Sequence, residues 1–175
     1  VRCKALLRFS DIADNEELFV KVGVSAVDWE GAEKNVRAEI SSWDFDKIRN
    51  AAHDKWNSYL STIEIVDDDD ADKTIFYTAM YHAAISPNLF MDVDGRYLGM
   101  DRKTHQGNPD KPVYTVFSLW DTHRALHPLL TIIDPKLNND FINSLLLKHE
   151  EGGLLPMWEL AGNYTATMTG YHAVS

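Results

Sequence analysis

The chain has 175 residues, of which 45% are hydrophobic and 11% aromatic, enough for one globular core and too apolar for a disordered polymer. Its 17 Lys+Arg against 27 Asp+Glu leave a formal charge of -10, which repels phosphate backbones and anionic lipid headgroups and favours neutral substrates such as sugars, or cations. Cys3 is the single cysteine, which excludes an internal disulfide and a thiolate metal cluster, and no apolar run approaches the ~20 residues of a membrane span.

The sequence opens directly in an apolar pattern, Ala5-Leu6-Leu7-Arg8-Phe9, without a methionine or a signal sequence. It stops in another, Gly170 to Ser175, and both ends read as interruptions. Leu18 to Val27 is rich in β-branched residues and partly alternating, which predicts a strand paired with Ala5 to Phe9 across a polar connection, Asp11 to Glu17. Beyond Asp28 the period changes: Ala32, Val36 and Ile40 recur every four residues and predict a short amphipathic helix. Ser41-Ser42-Trp43-Asp44 then offers N-cap chemistry to a second helix through Ile48, Ala51, Ala52, Trp56 and Leu60. The run Asp67 to Asp70 predicts a solvated turn feeding carboxylates to the next helix, which carries Ile75, Ala79, His82 and Ala83.

Ser86 to Pro112 holds three prolines and lacks clear periodicity, the signature of a functional loop or of missing structure. Phe117 to Ile133 is apolar almost throughout, with His127-Pro128 expected to kink or end a helix. Pro135 is expected to open another helix through Phe141, Leu145 and Leu146 to a Gly152-Gly153 stop. Trp158 and Glu159 then fall in a loop before a last helix from Asn163. The pattern is mainly α with an N-terminal β portion, and helical hairpins suit it better than βαβ units.

Trp120-Asp121-Thr122-His123-Arg124 sets an indole, a carboxylate and a guanidinium within about one helical turn. An indole offers a flat apolar face to a pyranose ring, and a carboxylate accepts paired bonds from neighbouring sugar hydroxyls. The plainer reading is an i,i+3 ion pair of Asp121 with Arg124 over a buried Trp120. Pro156-Met157-Trp158-Glu159 repeats the indole and carboxylate, so Asp121 and Glu159 form one candidate glycosidase pair, about 6.5–9.5 Å apart if the enzyme inverts. Alternatively Glu159 braces a loop while Trp158 fills the core. His123 and His127, at i,i+4, suit zinc poorly without the metalloprotease glutamate, and Asp92-Val93-Asp94-Gly95 reads as a turn rather than a calcium loop. Walker, GxGxxG and GxSxG motifs are absent.

Ser86-Pro87-Asn88-Leu89-Phe90, Asp94-Gly95-Arg96-Tyr97, the block YTVFSLWDTHRALHPLLTIIDP from Tyr114 to Pro135, and GGLLPMWELAGN together resemble glycoside hydrolase family 92, in order and over nearly the whole chain. The resemblance implies a calcium-dependent, exo-acting, inverting α-mannosidase acting on mannose-containing glycans, from a periplasmic or secreted bacterial protein. It implies that residues 1–28 end an N-terminal β-sandwich, 29–66 are connecting helices, and 67–175 begin an (α/α)6 toroid completed by the rest of the polypeptide. Trp120 and Asp121 then line the mannose subsite and Arg124 braces them, with Trp158, Glu159, Asn163 and His172 in a second motif near the same pocket. The general acid, the general base and the main calcium ligands are expected beyond Ser175, which leaves this segment inactive alone. Where the family carries Glu-Thr after Gly162-Asn163, this sequence has Tyr164-Thr165. Two alternatives remain: a non-catalytic or degenerate carbohydrate-binding relative, and a toroid glycosidase for another sugar.

Overall fold

Asp28 begins the ordered architecture: its carboxylate accepts the Gly31 amide and caps the first helix, α1 (Trp29–Glu39). A computed structural model describes residues 4–10 and 12–174 of the chain. Asp44 and Asp69 repeat the capping device for α2 (Phe45–Leu60) and α3 (Asp70–Ala83), so the two stretches read as cap or turn chemistry do set helix starts. These helices bury little. Only Gly31 of α1 and Met80 of α3 are fully inside, and Trp29, Phe45 and Ile75 are exposed.

The expected N-terminal strand pair does not form among the described residues: 4–10 and 12–27 run without a ladder. Two strands alone are marginal, and the alternating Leu18, Val20, Val22 and Val24 find no covering layer. Side chains hold the segment instead. Lys21 Nζ donates to the Ile40 carbonyl at 2.7 Å and lies 4.3 Å from the Trp43 ring centroid, and Ser25 donates to Asp92 at 2.7 Å.

The stretch from 86 to 112 is not structureless. It contains β1 (Asn88–Leu89) and a hairpin of β2 (Arg96–Leu98) with β3 (Thr104–Gln106). Asp92 to Gly95 forms a tight turn, with the Gly95 amide on the Asp92 carbonyl and Gly95 at φ 85°. Its carboxylates are spent on protein donors: Asp92 on Ser25 and Asn35, Asp94 on Lys34 and Arg96. Lys34 and then the Arg96 contacts hold the Asp94 carboxyl down at about 2. Arg96 also reaches Asp28, tying the α1 cap to the turn.

The core lies further along the chain. Phe117, Leu130 and Phe141 pack together, flanked by Tyr114, Leu126, Ile133, Leu137 and Leu145. Phe141 meets Tyr114 and Phe117 edge-on, at centroid distances of 4.9 and 5.8 Å. Burial of each such side chain is worth about 1.5–3 kcal/mol. These residues come from β4 (Tyr114–Thr115), β5 (Phe117–Ser118), α5 (Leu126–Ile133) and α6 (Pro135–Gly152). A four-residue helical turn, α4 (Leu119–Thr122), precedes α5. Pro128 is the third residue of α5 rather than its end, where a missing amide leaves no hydrogen bond broken. α6 runs as read, from an Asp134 cap and Pro135 to Gly153 at φ 81°.

In place of the expected loop and last helix, β6 (Trp158–Leu160) and β7 (Asn163–Tyr164) form a hairpin that extends β5 into a three-stranded sheet. The chain closes on a 3₁₀ turn, Gly170–Ala173.

Candidate functional site

The pleat of the β5-β6-β7 sheet sorts the site residues. Ser118 pairs with Trp158, Phe117 with Glu159, Glu159 with Tyr164, and Leu160 with Asn163. Paired residues share a face and neighbours along a strand alternate. Trp158 and Asn163 therefore stand outside with Ser118, while Glu159 goes inside with Phe117.

Glu159 has a side-chain exposure of 0%, and Lys148, at 3%, stands 3.2 Å from its Oε1. The Thr115 hydroxyl lies 3.1 Å from both carboxylate oxygens, and the Gly162 amide donates to Oε1 at 2.8 Å. A carboxylate so enclosed has no face open to a glycosidic oxygen, which favours the loop-bracing alternative for Glu159 over its place in an acid-and-base pair with Asp121. Trp158 is 43% exposed, so it does not fill the core. Tyr164 faces Glu159 across the ladder, where a glutamate would set two carboxylates opposite each other.

Asp121 is the contrasting carboxylate. It is exposed and accepts the Ser118 hydroxyl, leaving most of its acceptor sites to solvent. It makes no ion pair with Arg124 among the described residues, and Trp120 is 47% exposed, so a helical ion pair over a buried indole is not what forms. Arg124 Nε instead donates to His123 Nε2 at 3.3 Å.

His172, brought in by the terminal 3₁₀ turn, stacks on His123 at 4.0 Å and meets Trp120 edge-on at 5.1 Å. Trp120, Arg124 and His172 are thus gathered around His123, with Asp121 beside them. Asn163 is tied elsewhere, its side-chain oxygen accepting from Arg102. His123 and His127 do not form a two-ligand face, because His123 closes α4, His127 belongs to α5, and Ala125 between them breaks the helix at φ -129°. Their Nδ1 atoms are taken up by the Leu119 carbonyl and the Asn138 side chain.

Beneath this group opens a cleft of about 640 Å³ lined by Leu119, His123, His127, Leu145, Leu155 and His172. Burial, then the proximity of His123 and Arg124, lowers the His172 pKa. The neutral ring therefore contributes stability above the unfolded value of ~6.5, and that contribution is lost as pH falls below it. A Tm series from pH 7 to pH 5 is expected to decline, and His172→Phe to flatten the decline.

Among the described residues no group of three His, Cys, Asp or Glu side chains is arranged to hold a metal ion. No helix among them is long and apolar enough to cross a membrane.

Residue-pattern reasoning missed Lys148, Thr115 and Ser118 as parts of this site. For Lys148 a signal exists: it falls on the buried stripe of α6 with Phe141 and Ser144, where a charge needs a partner.

Residues 31–175 match the model of the glycosyl hydrolase family 92 catalytic domain. A family 92 α-mannosidase from Bacteroides thetaiotaomicron superposes with a TM-score of 0.80 and 38% identity, over 86% of this chain and 20% of that one. An inverting mannosidase of the same family and bacterium gives a TM-score of 0.78 and 28% identity over the same shares. A protein of Arthroderma benhamiae named an uncharacterized secreted glycosidase is 30% identical over 102 residues, which are 50% of this chain and 13% of that protein. The chain therefore spans a minor part of the relatives it matches.

Proposed function

The chain belongs to glycoside hydrolase family 92, and from that premise we propose that it supplies part of the mannose-binding subsite of an exo-acting, inverting α-mannosidase. The observation that carries this reading is the exposed pair Trp120 and Asp121, an apolar ring face beside a carboxylate with free acceptor sites. Trp120 presents a surface for the C–H face of a terminal mannose, and Asp121 accepts from its hydroxyls. Arg124 and His172 hold the rim, and Trp158 adds a second exposed indole on the neighbouring strand.

In an inverting reaction a base-activated water attacks the anomeric carbon while an acid protonates the leaving oxygen. Both groups, and the ligands of a calcium ion, are proposed to lie in the remainder of the polypeptide. What this segment does is bind and orient, and Asp121 assists the chemistry to the extent that its bonds tighten as the ring flattens. The solved relatives are mannosidases, which supports mannose as the sugar, and the Arthroderma relative, a secreted glycosidase by name, supports secretion.

The test is NMR of fresh digests of an α-mannoside by the full-length protein. β-Mannose is expected as the first anomer, and α-mannose would overturn the inverting assignment. Sugar binding without turnover would instead favour a non-catalytic relative.

A further inference from the structure

The turn joining β6 to β7 is held in an unfavourable conformation by one buried group. Ala161 and Gly162 both have positive φ, 50° and 72°, the pattern of a two-residue type I′ hairpin. Glycine adopts this region freely, but an alanine does so against its own Cβ. Both turn amides point inward: Gly162 donates to Glu159 Oε1 at 2.8 Å, and Ala161 to Thr115 Oγ1 at 2.7 Å. The Thr115 hydroxyl in turn donates a hydrogen bond to Glu159, and Lys148 neutralises the carboxylate. The strand residue before Glu159 is Trp158, and the residue after Gly162 is Asn163, both on the outer face.

We propose that Thr115 and Lys148 are positioning residues for the sugar site, acting through the buried Glu159 carboxylate to fix Trp158; the proposal rests on the mannoside-binding reading above. Glu159 has no exposed side-chain atom to offer a sugar, yet it accepts directly from the Gly162 amide and is linked through the Thr115 hydroxyl to the Ala161 amide. Removing the Thr115 hydroxyl leaves the Ala161 amide without its acceptor and the carboxylate short of a donor, and the turn is then free to relax. Trp158 moves with it because the indole and the carboxylate are adjacent on one short strand.

The experiment uses the full-length protein with Thr115→Val, which keeps the β-branched shape and deletes the hydroxyl, and Thr115→Ser, which restores it. Thr115→Val is expected to raise KM for an α-mannoside about tenfold with a smaller change in kcat, and Thr115→Ser to return KM to the wild-type value. Independently of activity, the fluorine resonance of 5-fluorotryptophan at position 158, assigned by its loss in Trp158→Phe, is expected to shift or broaden in Thr115→Val and recover in Thr115→Ser. An unmoved resonance overturns the proposal. So does an unchanged KM in an active enzyme. An inactive wild type would sink the mannosidase reading alone, because the resonance still decides the positioning claim. Where Thr115→Val does not fold, Lys148→Arg serves: it keeps the charge but alters its reach, and an undisturbed Trp158 resonance there overturns the proposal equally.

Discussion

Asp121→Ala in the full-length protein is expected to lower kcat/KM on a simple α-mannoside by about a hundredfold, the scale of a charged acceptor lost from an oriented substrate. The carboxylate is exposed and, among the described residues, engaged by Ser118 alone, so its removal does not open the core. Tm should therefore stay near the wild-type value while activity falls. Asp121→Asn keeps one acceptor oxygen and is expected to lose less. Steady-state kinetics beside a thermal melt check both points, and an unchanged kcat/KM in Asp121→Ala would remove this residue from the site.

The largest stability effect is expected from Lys148→Met. Breaking a buried pair by removing one partner leaves an uncompensated charge inside and costs about 3–5 kcal/mol. Solvent does not screen this pair, at side-chain exposures of 3% and 0%. A methionine fills the lysine's volume, so the loss reports charge rather than a cavity. In the double variant Lys148→Met/Glu159→Gln the stranded charge is gone, and the Gln oxygen still accepts from the Gly162 amide. Its loss is expected to be less than half that of Lys148→Met. Urea denaturation of these two variants and of Glu159→Gln closes the cycle, and additive losses would show that the pair is not coupled.

What the sequence reveals follows from how local each determinant is. Asp44, Asp69, Pro135 and Gly153 act on the residues beside them, and the helices they bound were legible for that reason. The strands were not. β5, β6 and β7 are two or three residues long, below any readable alternation, and the β5–β6 pairing joins residues some forty positions apart. Pro128 misled because a proline breaks a helix interior yet fits its first turn, and the sequence does not say which turn it occupies.

The same distinction governs the site. Trp120 and Asp121 stood out as adjacent residue types with a shared chemistry, and both prove exposed. Trp158 and Glu159 looked equivalent to them, but a strand sends neighbours to opposite faces where a helical turn keeps them closer together. Glu159 is thus fixed by Lys148 and Thr115, partners that no local pattern could name. The His172–His123 stack is a contact of the same long-range kind.

The proposed role of this segment is to bind the sugar of a working α-mannosidase. Release of free mannose from α-mannosides by the full-length protein, with calcium supplied and then chelated, tests it most directly. Release that stops on chelation and returns with calcium is the expected result; no release from any α-linkage by a folded, calcium-supplied protein would contradict it.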